Sequence, residues 1–381
     1  MTDRPAPHAG DAVAPPRRIA LVGTGLVGAS LGMALRRWAG VEEVVGFDVD
    51  ADALRLACER GACDRPAASA AEAAEGADLA ILAVPARAVA EVAAEVAPRL
   101  ADGAILTDVA SVKARVVEAL QAAAPPGVHV IGGHPMAGSH ETGPAHASDE
   151  LLVGATYLLT PTTHTAPAAY QRLHHLLTTV GARPLAVHPE RHDLLVAVVS
   201  HLPQLAATTL MNLATERAQR EHAGLLLLAA GGFRDATRVA ASDPALWLEI
   251  CAENREAITA VLDDYAARIE ELRATLADSD DPGLRRVLEQ ARAARRALPA
   301  KRAAREPLIE LVVPLADRPG TLAEVTTTVG AAGVNIEDLG IDHAAEGGRG
   351  ALRLAVSGAD AAATAREAIT ARGYDVAERR L

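Results

Sequence analysis

Residues 18–28 read RIALVGTGLVG, an apolar run that leads directly into three spaced glycines, Gly23, Gly25 and Gly28. The apolar residues that follow have helical spacing. A strand, a glycine turn and a helix in this order let a pyrophosphate approach backbone N–H groups where the helix dipole favours an anion. A second strand-like run ends at Asp48, twenty residues past Gly28, and its carboxylate is expected to bind a ribose.

These features predict a dinucleotide site, and NAD is expected rather than NADP. The Asp48 carboxylate would repel a 2′-phosphate, and Val49 and Asp50 follow it where an arginine would be needed. A glycine turn that only reverses the chain is the alternative, but it would not explain a carboxylate at this spacing. The expected cofactor-binding residues are Gly23, Gly25, Leu26, Val27, Gly28, Asp48, Val84 and Pro85.

The pattern of residues 17–187 is typical of an α/β domain. Short apolar runs, among them VVGFD, DLAILAVP, AILTDV and VHVIGG, alternate with alanine-rich segments of helical period. Strands that are apolar throughout are buried on both faces, as in a parallel sheet covered by crossover helices. We therefore predict a Rossmann-like, doubly wound parallel sheet, which the later runs ATYLLTP and RPLAV should extend.

Changes in this pattern divide the rest of the chain. Residues 188–297 lack strand signals and carry apolar residues at helical spacing, so we predict an all-α domain whose apolar surplus favours a homodimer. Residues 298–306 are charged and bracketed by prolines, as in a linker. Residues 307–381 have the ferredoxin-like order β-α-β-β-α-β. The proline-rich residues 1–16 are expected to form a disordered tail.

The composition restricts the class of protein. The formal net charge of −12 argues against nucleic acid as a partner, because such binding requires clustered positive charge. No uninterrupted apolar run reaches the ~18 residues of a membrane span, so we expect a cytoplasmic enzyme. Cys58, Cys63 and Cys251 lack a paired spacing and are expected to be small buried side chains rather than disulfide partners or zinc ligands.

Polar residues after the later strands supply candidate catalytic groups. Ser111 and His134 lie in DVASVK and GGHPMAG, loops expected at the carboxyl ends of strands, where α/β sheets bind ligands. Oxidation of an alcohol needs a group that accepts the hydroxyl proton, and neutral imidazole does this near pH 7. In GGFRDATR, Arg238 can bind a carboxylate through two hydrogen bonds, oriented by Asp235. The substrate is therefore expected to be anionic.

Four motifs follow the dinucleotide motif: DVASVK, GGHPMAG, SHLPQ and GGFRDATR. Together they resemble the prephenate and arogenate dehydrogenases, over about residues 18–297. The resemblance implies an NAD-dependent oxidative decarboxylation in tyrosine biosynthesis. It implies that His134 hydrogen-bonds the ring hydroxyl and promotes hydride transfer, while Ser111 holds His134 or that hydroxyl. Arg238 would anchor a carboxylate with Asp235 positioning it. The implied substrate-binding residues are His140, Ser200, Gln204, Asp235, Arg238 and Trp247.

Two positions depart from the commonest pattern of these families. His140 stands where many relatives have glutamate, and Gln204 stands where many have histidine. A carboxylate at the first position would favour the ammonium group of arogenate, so His140 favours prephenate as the substrate. Gln204 can donate a hydrogen bond but cannot titrate.

The pattern strand–DRPG–helix–GVNI within residues 307–381 resembles the ACT domain, which binds amino acids in many biosynthetic enzymes. The resemblance implies an effector site, and tyrosine, the end product, is the expected ligand. A module used only for oligomerisation is the alternative. The expected effector-binding residues are Asp317, Gly320, Thr321, Leu322, Asn335 and Ile336.

Two other functions are compatible with parts of the sequence. A glycine loop followed by a helical domain also suits the β-hydroxyacid dehydrogenases and imine reductases, which lack the GGHPMAG and GGFRDATR pair. A non-catalytic, NAD-bound amino-acid sensor is the second alternative.

Several remaining side chains have less specific expectations. His188, His192 and His201 are expected to pack against or support other residues rather than bind a metal. His174 and His175 are expected on the surface. Lys113 is expected to contact a cofactor phosphate or the substrate, or to cap a helix. No metal is expected.

Overall fold

The computed structural model describes residues 16–38, 41–137, 141–221, 224–297, 308–315, 320–342 and 350–380. The chain divides into two compact units: Met1–His192 together with Pro307–Leu381, and Asp193–Glu306. The C-terminal module is therefore grouped with the first domain.

A six-stranded parallel sheet forms the centre of the first unit, in the order β3-β2-β1-β4-β5-β6. This order places a topological switch point between β1 and β4, where α/β sheets bind ligands. The predicted Rossmann-like sheet is confirmed. Its elements are β1 (Arg18–Val22), α1 (Leu26–Trp38), β2 (Glu43–Phe47), α2 (Ala51–Glu59), β3 (Arg65–Pro66), α3 (Ala70–Ala74), β4 (Leu79–Leu82), α4 (Val89–Val96), β5 (Ile105–Asp108), α5 (Ala114–Ala123) and β6 (His129–Val130).

Small side chains allow the helices to pack closely on this sheet. The alanines of α3 and α4 that face it, such as Ala73 and Ala93, are fully buried. A Cβ at Gly32 of α1 would lie 2.2 Å from the carbonyl oxygen of Ala62. With almost no aromatic side chains, the core depends on close contact between many small residues, each contributing a modest burial free energy.

The prediction that ATYLLTP and RPLAV extend the parallel sheet is wrong. They form a separate three-stranded sheet of β7 (Gly132–Pro135), β8 (Thr156–Thr160) and β9 (Arg183–Ala186), with α6 (Pro167–Thr179) between the last two strands. The run VHVIGG divides at Ile131, and β7 then pairs antiparallel with β8. A Cβ at Gly132 would lie 2.4 Å from Thr160 Oγ1, so the glycine permits the two strands to meet.

The second unit is entirely helical over its described residues, as predicted. A π-helical turn, Ala197–His201, joins α7 to α8, and a small core contains Ala197, Ile250 and Ile258. Its helices are α7 (Pro189–Val196), which begins in the first unit, α8 (Leu202–Arg220), α9 (Gly231–Thr237), α10 (Pro244–Glu253), α11 (Arg255–Ala277) and α12 (Asp281–Ala297).

The helical run Pro189–Arg220 is long and apolar enough, by length and composition, to cross a membrane, with a mean hydropathy of 1.6 over its most apolar window. Only 28% of that window is buried within the chain. Length and composition do not distinguish a membrane span from a helix that packs on another subunit. The exposed apolar side chains of the run are Leu194, Leu195, Val198, Val199, Leu210 and Leu213.

The C-terminal module has the predicted element order around a four-stranded antiparallel sheet, β11-β12-β10-β13. It packs on the first domain: a Cβ at Gly330 would lie 2.0 Å from the Ala186 carbonyl oxygen. His174 Nε2 donates to the Ile336 carbonyl oxygen at 2.8 Å. The elements are β10 (Leu308–Leu315), α13 (Thr321–Ala331), β11 (Ile336–Asp342), β12 (Gly350–Ser357), α14 (Ala359–Ala371) and β13 (Ala377–Arg380).

Two expectations about single side chains are wrong. His174 is buried, because the C-terminal module covers the helix α6, whereas His175 is exposed as expected. Cys58 and Cys63 form a disulfide, with their Cα atoms 4.8 Å apart. The turn at Gly61, which has a φ of +83°, returns the chain and brings the two cysteines together.

Candidate active site

The glycine loop after β1 has the geometry of a nucleotide-binding turn. Gly23 has a φ of +94°, and a Cβ there would lie 2.2 Å from the carbonyl oxygen of Ala83. A Cβ at Gly28 would lie 2.1 Å from the Gly23 carbonyl oxygen, so α1 can start this close to β1 only with glycine. A Cβ at Gly25 would have no atom within 4 Å. Gly25 is therefore open to a ligand approaching the backbone.

Asp48, at the end of β2, is joined to this loop. Its Oδ2 accepts hydrogen bonds from Thr24 N at 2.6 Å and Thr24 Oγ1 at 3.0 Å, and its Oδ1 accepts from Asp50 N at 3.0 Å. A carboxylate has about four lone-pair sites, so it can also accept from a ribose hydroxyl. These bonds fix the carboxylate beside the glycine turn before any cofactor binds.

The other expected cofactor residues lie around the same end of the sheet. Leu26 and Val27 are half-buried in the first turn of α1, which has no acidic residue to repel an anion. Val84 is half-buried and Pro85 is exposed just after β4, on the other side of the switch point.

The imidazole of His134 lies on β7 and is only 8% exposed. Its Nδ1 is 2.8 Å from Nε2 of His192, which is fully buried at the start of α7. The two rings are tilted, with centroids 5.0 Å apart. Their residues are 58 positions apart in the chain, and only GGHPMAG was a clear signal in the sequence. His192 was expected to be a packing or supporting residue, and its support of His134 was not foreseen.

Ser111 lies half-buried in the loop after β5. His134 contacts His192, and within the described part of the chain no hydrogen bond joins Ser111 to His134. The other role expected for Ser111, binding the substrate hydroxyl, stays a prediction. Lys113 takes the N-cap position of α5, and its fully buried side chain forms an ion pair with Asp108.

The candidates from SHLPQ lie on the π-helical turn and the start of α8. Ser200 is half-buried, and Gln204 is buried, with its Oε1 3.4 Å from Ser242 Oγ. Trp247 of α10 packs edge-on against the buried ring of His201, with ring centroids 5.8 Å apart. Asn254, which sequence reasoning did not single out, lies 3.3 Å from His201 Nδ1 through its amide nitrogen. Trp247 is therefore held in the helical unit by His201.

Arg238 and Asp235 lie at the end of α9, and both are exposed. The expected pairing between them is wrong, since no ion pair or hydrogen bond joins them in the structure. Two solvated charges three residues apart gain little from such a pair. Arg238 keeps its guanidinium available to an anionic ligand.

The effector candidates of the C-terminal module are divided between two places. Leu322 and Ile336 are buried in the core of the module, and Asn335 Nδ2 donates to Glu337 at 2.8 Å. Gly320 and Thr321, at the start of α13, line an open groove of about 500 Å³. The other residues that line it are Thr162, Thr163, His188, Ala323, Glu324, Thr327 and Tyr374. His140 and Asp317 lie outside the described residues.

Two family models match the chain. The prephenate dehydrogenase nucleotide-binding domain matches residues 31–186, and the prephenate dehydrogenase dimerization domain matches residues 188–290. The chain is 31% identical to the prephenate dehydrogenase of Bacillus subtilis (strain 168), over 93% of this chain and 96% of that protein. It is 33% identical to the cyclohexadienyl dehydrogenase of Zymomonas mobilis, over 74% of this chain and 96% of that protein.

Solved structures show the same similarity. Prephenate dehydrogenase from A. aeolicus, in complex with hydroxyphenyl propionate and NAD+, is 28% identical with a TM-score of 0.70, covering 74% of this chain and 98% of that one. Synechocystis arogenate dehydrogenase is 32% identical with a TM-score of 0.65, covering 73% and 99%. The predicted family, with its nucleotide-binding and helical domains, is confirmed. The chain belongs to the prephenate dehydrogenase family of oxidoreductases.

Proposed function

We propose that this enzyme catalyses the oxidative decarboxylation of prephenate with NAD, giving 4-hydroxyphenylpyruvate, carbon dioxide and NADH in the cytoplasmic synthesis of tyrosine. The observation that carries the proposal is the buried His134 imidazole, hydrogen-bonded to His192, in a chain of this family. The A. aeolicus relative binds hydroxyphenyl propionate, a phenol with a three-carbon carboxylate chain like that of the proposed product.

Because Nδ1 of His134 contacts His192, this proposal assigns the role of general base to Nε2 of His134. A general base at Nε2 requires the ring proton at Nδ1, and Nε2 of His192 can accept that proton's hydrogen bond over 2.8 Å. His192 therefore supports the tautomer that the reaction needs. Burial of both rings keeps competing water away from this bond.

The reaction balances with these groups. NAD bound at the glycine loop would supply the acceptor for the hydride that leaves the ring carbon carrying the hydroxyl. His134 takes the hydroxyl proton as the carbonyl forms. The bond from the ring to its carboxylate then breaks, carbon dioxide leaves, and the electron pair makes the ring aromatic. His134 returns the proton to the phenol oxygen, which Ser111 also contacts.

Substrate binding is assigned to polar groups of the helical unit. Arg238 anchors a carboxylate of the substrate through a charge-assisted, two-bond contact. Ser200 and Gln204 add hydrogen bonds, and Trp247 supplies an apolar wall. In this assignment Asp235 contributes a negative charge near Arg238 but does not form an ion pair with it.

Comparing prephenate with arogenate as substrates tests which substrate side chain the enzyme prefers, the keto acid or the amino acid. The kcat/KM for prephenate is expected to exceed that for arogenate, because His140 replaces a carboxylate that would attract the ammonium group. His140→Glu should shift the ratio about tenfold toward arogenate, which corresponds to ~1.4 kcal/mol. His175→Gln, at an exposed histidine of α6, is the control and should leave the ratio unchanged. An unaltered ratio in His140→Glu would overturn the assignment.

A homodimer is proposed through the helical unit. The matching family model is named for dimerization, and the run Pro189–Arg220 carries exposed apolar side chains that a second subunit would cover. Light scattering at micromolar concentration should give twice the mass of the chain. A monomer would contradict this assignment.

The C-terminal module is proposed to be an ACT domain through which tyrosine regulates the enzyme. Support comes from the groove at the start of α13, whose walls come from both the module and the first domain. On its module side, Glu324 accepts a hydrogen bond from the Tyr374 hydroxyl at 2.8 Å. The groove thus combines a carboxylate, which can bind an ammonium group, with an aromatic ring.

A short path connects this module to the catalytic histidine. Gly330 of α13 packs on the Ala186 carbonyl oxygen at the end of β9. Six residues later the chain reaches His192, the hydrogen-bond partner of His134. A ligand that moves α13 against β9 can therefore alter the position of His192.

Tyrosine is expected to inhibit the wild-type enzyme, and Gly330→Ala should weaken that inhibition about tenfold, a typical coupling free energy. The new Cβ would force α13 away from Ala186. Thr328→Ala, on the same helix, is the control. Initial rates measured against tyrosine concentration test this; equal inhibition of Gly330→Ala and wild type would contradict the path.

A further inference from the structure

A buried ion pair lies at the end of β5 and in the loop that follows, which also carries Ser111. Lys113 Nζ contacts Asp108 Oδ2, and both side chains are completely inaccessible to solvent. Removing two charges from water is costly, and removing one partner of such a buried pair is strongly destabilising. The contacts of this carboxylate show what the pair can hold in place.

The Asp108 carboxylate accepts two backbone hydrogen bonds besides its contact with Lys113. Oδ2 accepts from Ala110 N at 2.9 Å, and Oδ1 accepts from Gly133 N at 3.1 Å. Ala110 directly precedes Ser111, and Gly133 directly precedes His134. A single carboxylate therefore holds the backbone next to both residues.

This carboxylate also joins the two sheets of the first domain. Asp108 ends β5 of the six-stranded sheet, whereas Gly133 belongs to β7 of the three-stranded sheet. A Cβ at Gly133 would lie 2.6 Å from the Asp108 carbonyl oxygen and 2.9 Å from the ring of Tyr157. Burial, and then the Asp108 charge, raises the pKa of Tyr157, so its hydroxyl stays neutral beside the pair. The strand β7 is thus packed firmly against the end of β5.

We propose that Asp108 and Lys113 are positioning residues that fix the separation of Ser111 and His134. The proposal rests on the catalytic roles given to Ser111 and His134 above. Lys113 forms an ion pair with this carboxylate, and charge-assisted hydrogen bonds are about twice as strong as neutral ones. Neither side chain needs to contact the substrate for this role.

Asp108→Glu is the first test, because it keeps the charge pair with Lys113 but displaces the carboxylate by one methylene. We expect kcat with prephenate to fall about 10- to 100-fold, the effect of a misplacement of about 1 Å. The KM for prephenate and the Kd for NAD should stay within about twofold of wild type. A merely structural pair predicts no loss of kcat in a variant that folds.

The double variant Asp108→Asn with Lys113→Met separates stability from positioning. It removes both buried charges together, so its melting temperature should recover relative to Asp108→Asn alone, while kcat stays low. Asp64→Asn is the matched control. The Asp64 carboxylate also accepts hydrogen bonds from a backbone N–H, that of Val44, and from a basic side chain, that of Arg36, but it lies away from the site. It should leave kcat unchanged.

The outcomes distinguish this proposal from the proposed function. If wild type does not oxidise prephenate, the proposed function fails, and the positioning role that rests on it fails as well. If wild type turns over and Asp108→Glu keeps full kcat, or the double variant recovers kcat with its melting temperature, the positioning role is overturned.

Discussion

His134→Asn is expected to lower kcat about 100-fold or more, while the Kd for NAD stays close to that of wild type. Asparagine can still form a hydrogen bond with His192, but it cannot take the hydroxyl proton as hydride leaves. Steady-state rates of NADH formation and calorimetric titration with NAD measure the two quantities.

His192→Asn is the companion variant, because it keeps a polar group opposite Nδ1 but changes the partner at 2.8 Å. Its kcat should fall by less than that of His134→Asn, since the base itself remains. If His134→Asn kept full activity, the imidazole would not be needed for the reaction. An unchanged biological role in this variant would favour the alternative of a non-catalytic, NAD-bound sensor.

Alanine substitutions at Gly25 and Gly28 are expected to affect different properties, NAD binding in the first case and the stability of the fold in the second. Gly25→Ala should fold with the wild-type melting temperature, because its Cβ meets no protein atom within 4 Å. It should bind NAD about 10- to 100-fold more weakly, since the Cβ occupies space needed by the pyrophosphate.

Gly28→Ala should instead destabilise the fold by about 1–3 kcal/mol, because its Cβ would lie 2.1 Å from the Gly23 carbonyl oxygen. Thermal unfolding without cofactor and titration with NAD separate the two effects. If Gly25→Ala binds NAD as wild type does, the pyrophosphate is bound elsewhere and the nucleotide site assigned to this loop is wrong.

The parts of the fold that were predicted correctly depend on local pattern. The strand β1, its glycine loop and α1 are contiguous, so apolar runs and glycine spacing identify them directly. The second sheet was missed because a run such as VHVIGG looks alike whether it forms one strand or divides at Ile131. Pairing with β8 decides that question, and pairing is a long-range property.

The candidate site shows the same division. Asp48 was found from its distance to Gly28 along the chain, whereas the contact of His134 with His192 crosses 58 residues and leaves no local signal. Lys113 was expected to contact a ligand or cap a helix. It takes the N-cap position of α5, but its side chain pairs with Asp108 instead of forming a capping hydrogen bond. The direction of a charged side chain in a loop depends on which other parts of the chain pack around that loop, and the local sequence does not give this.

The C-terminal module explains another error. His174 was expected on the surface because its helix has many polar residues. The module covers that helix, and the Ile336 carbonyl oxygen accepts the imidazole hydrogen bond. Contacts between separate domains cannot be read from the composition of either one.

The most direct test of the proposed reaction measures NADH, carbon dioxide and 4-hydroxyphenylpyruvate together when this enzyme reacts with prephenate and NAD. Oxidative decarboxylation predicts that the three products form in equal amounts for each prephenate consumed. NADH without carbon dioxide would indicate a simple alcohol dehydrogenase, and no NADH from prephenate would contradict the proposed function.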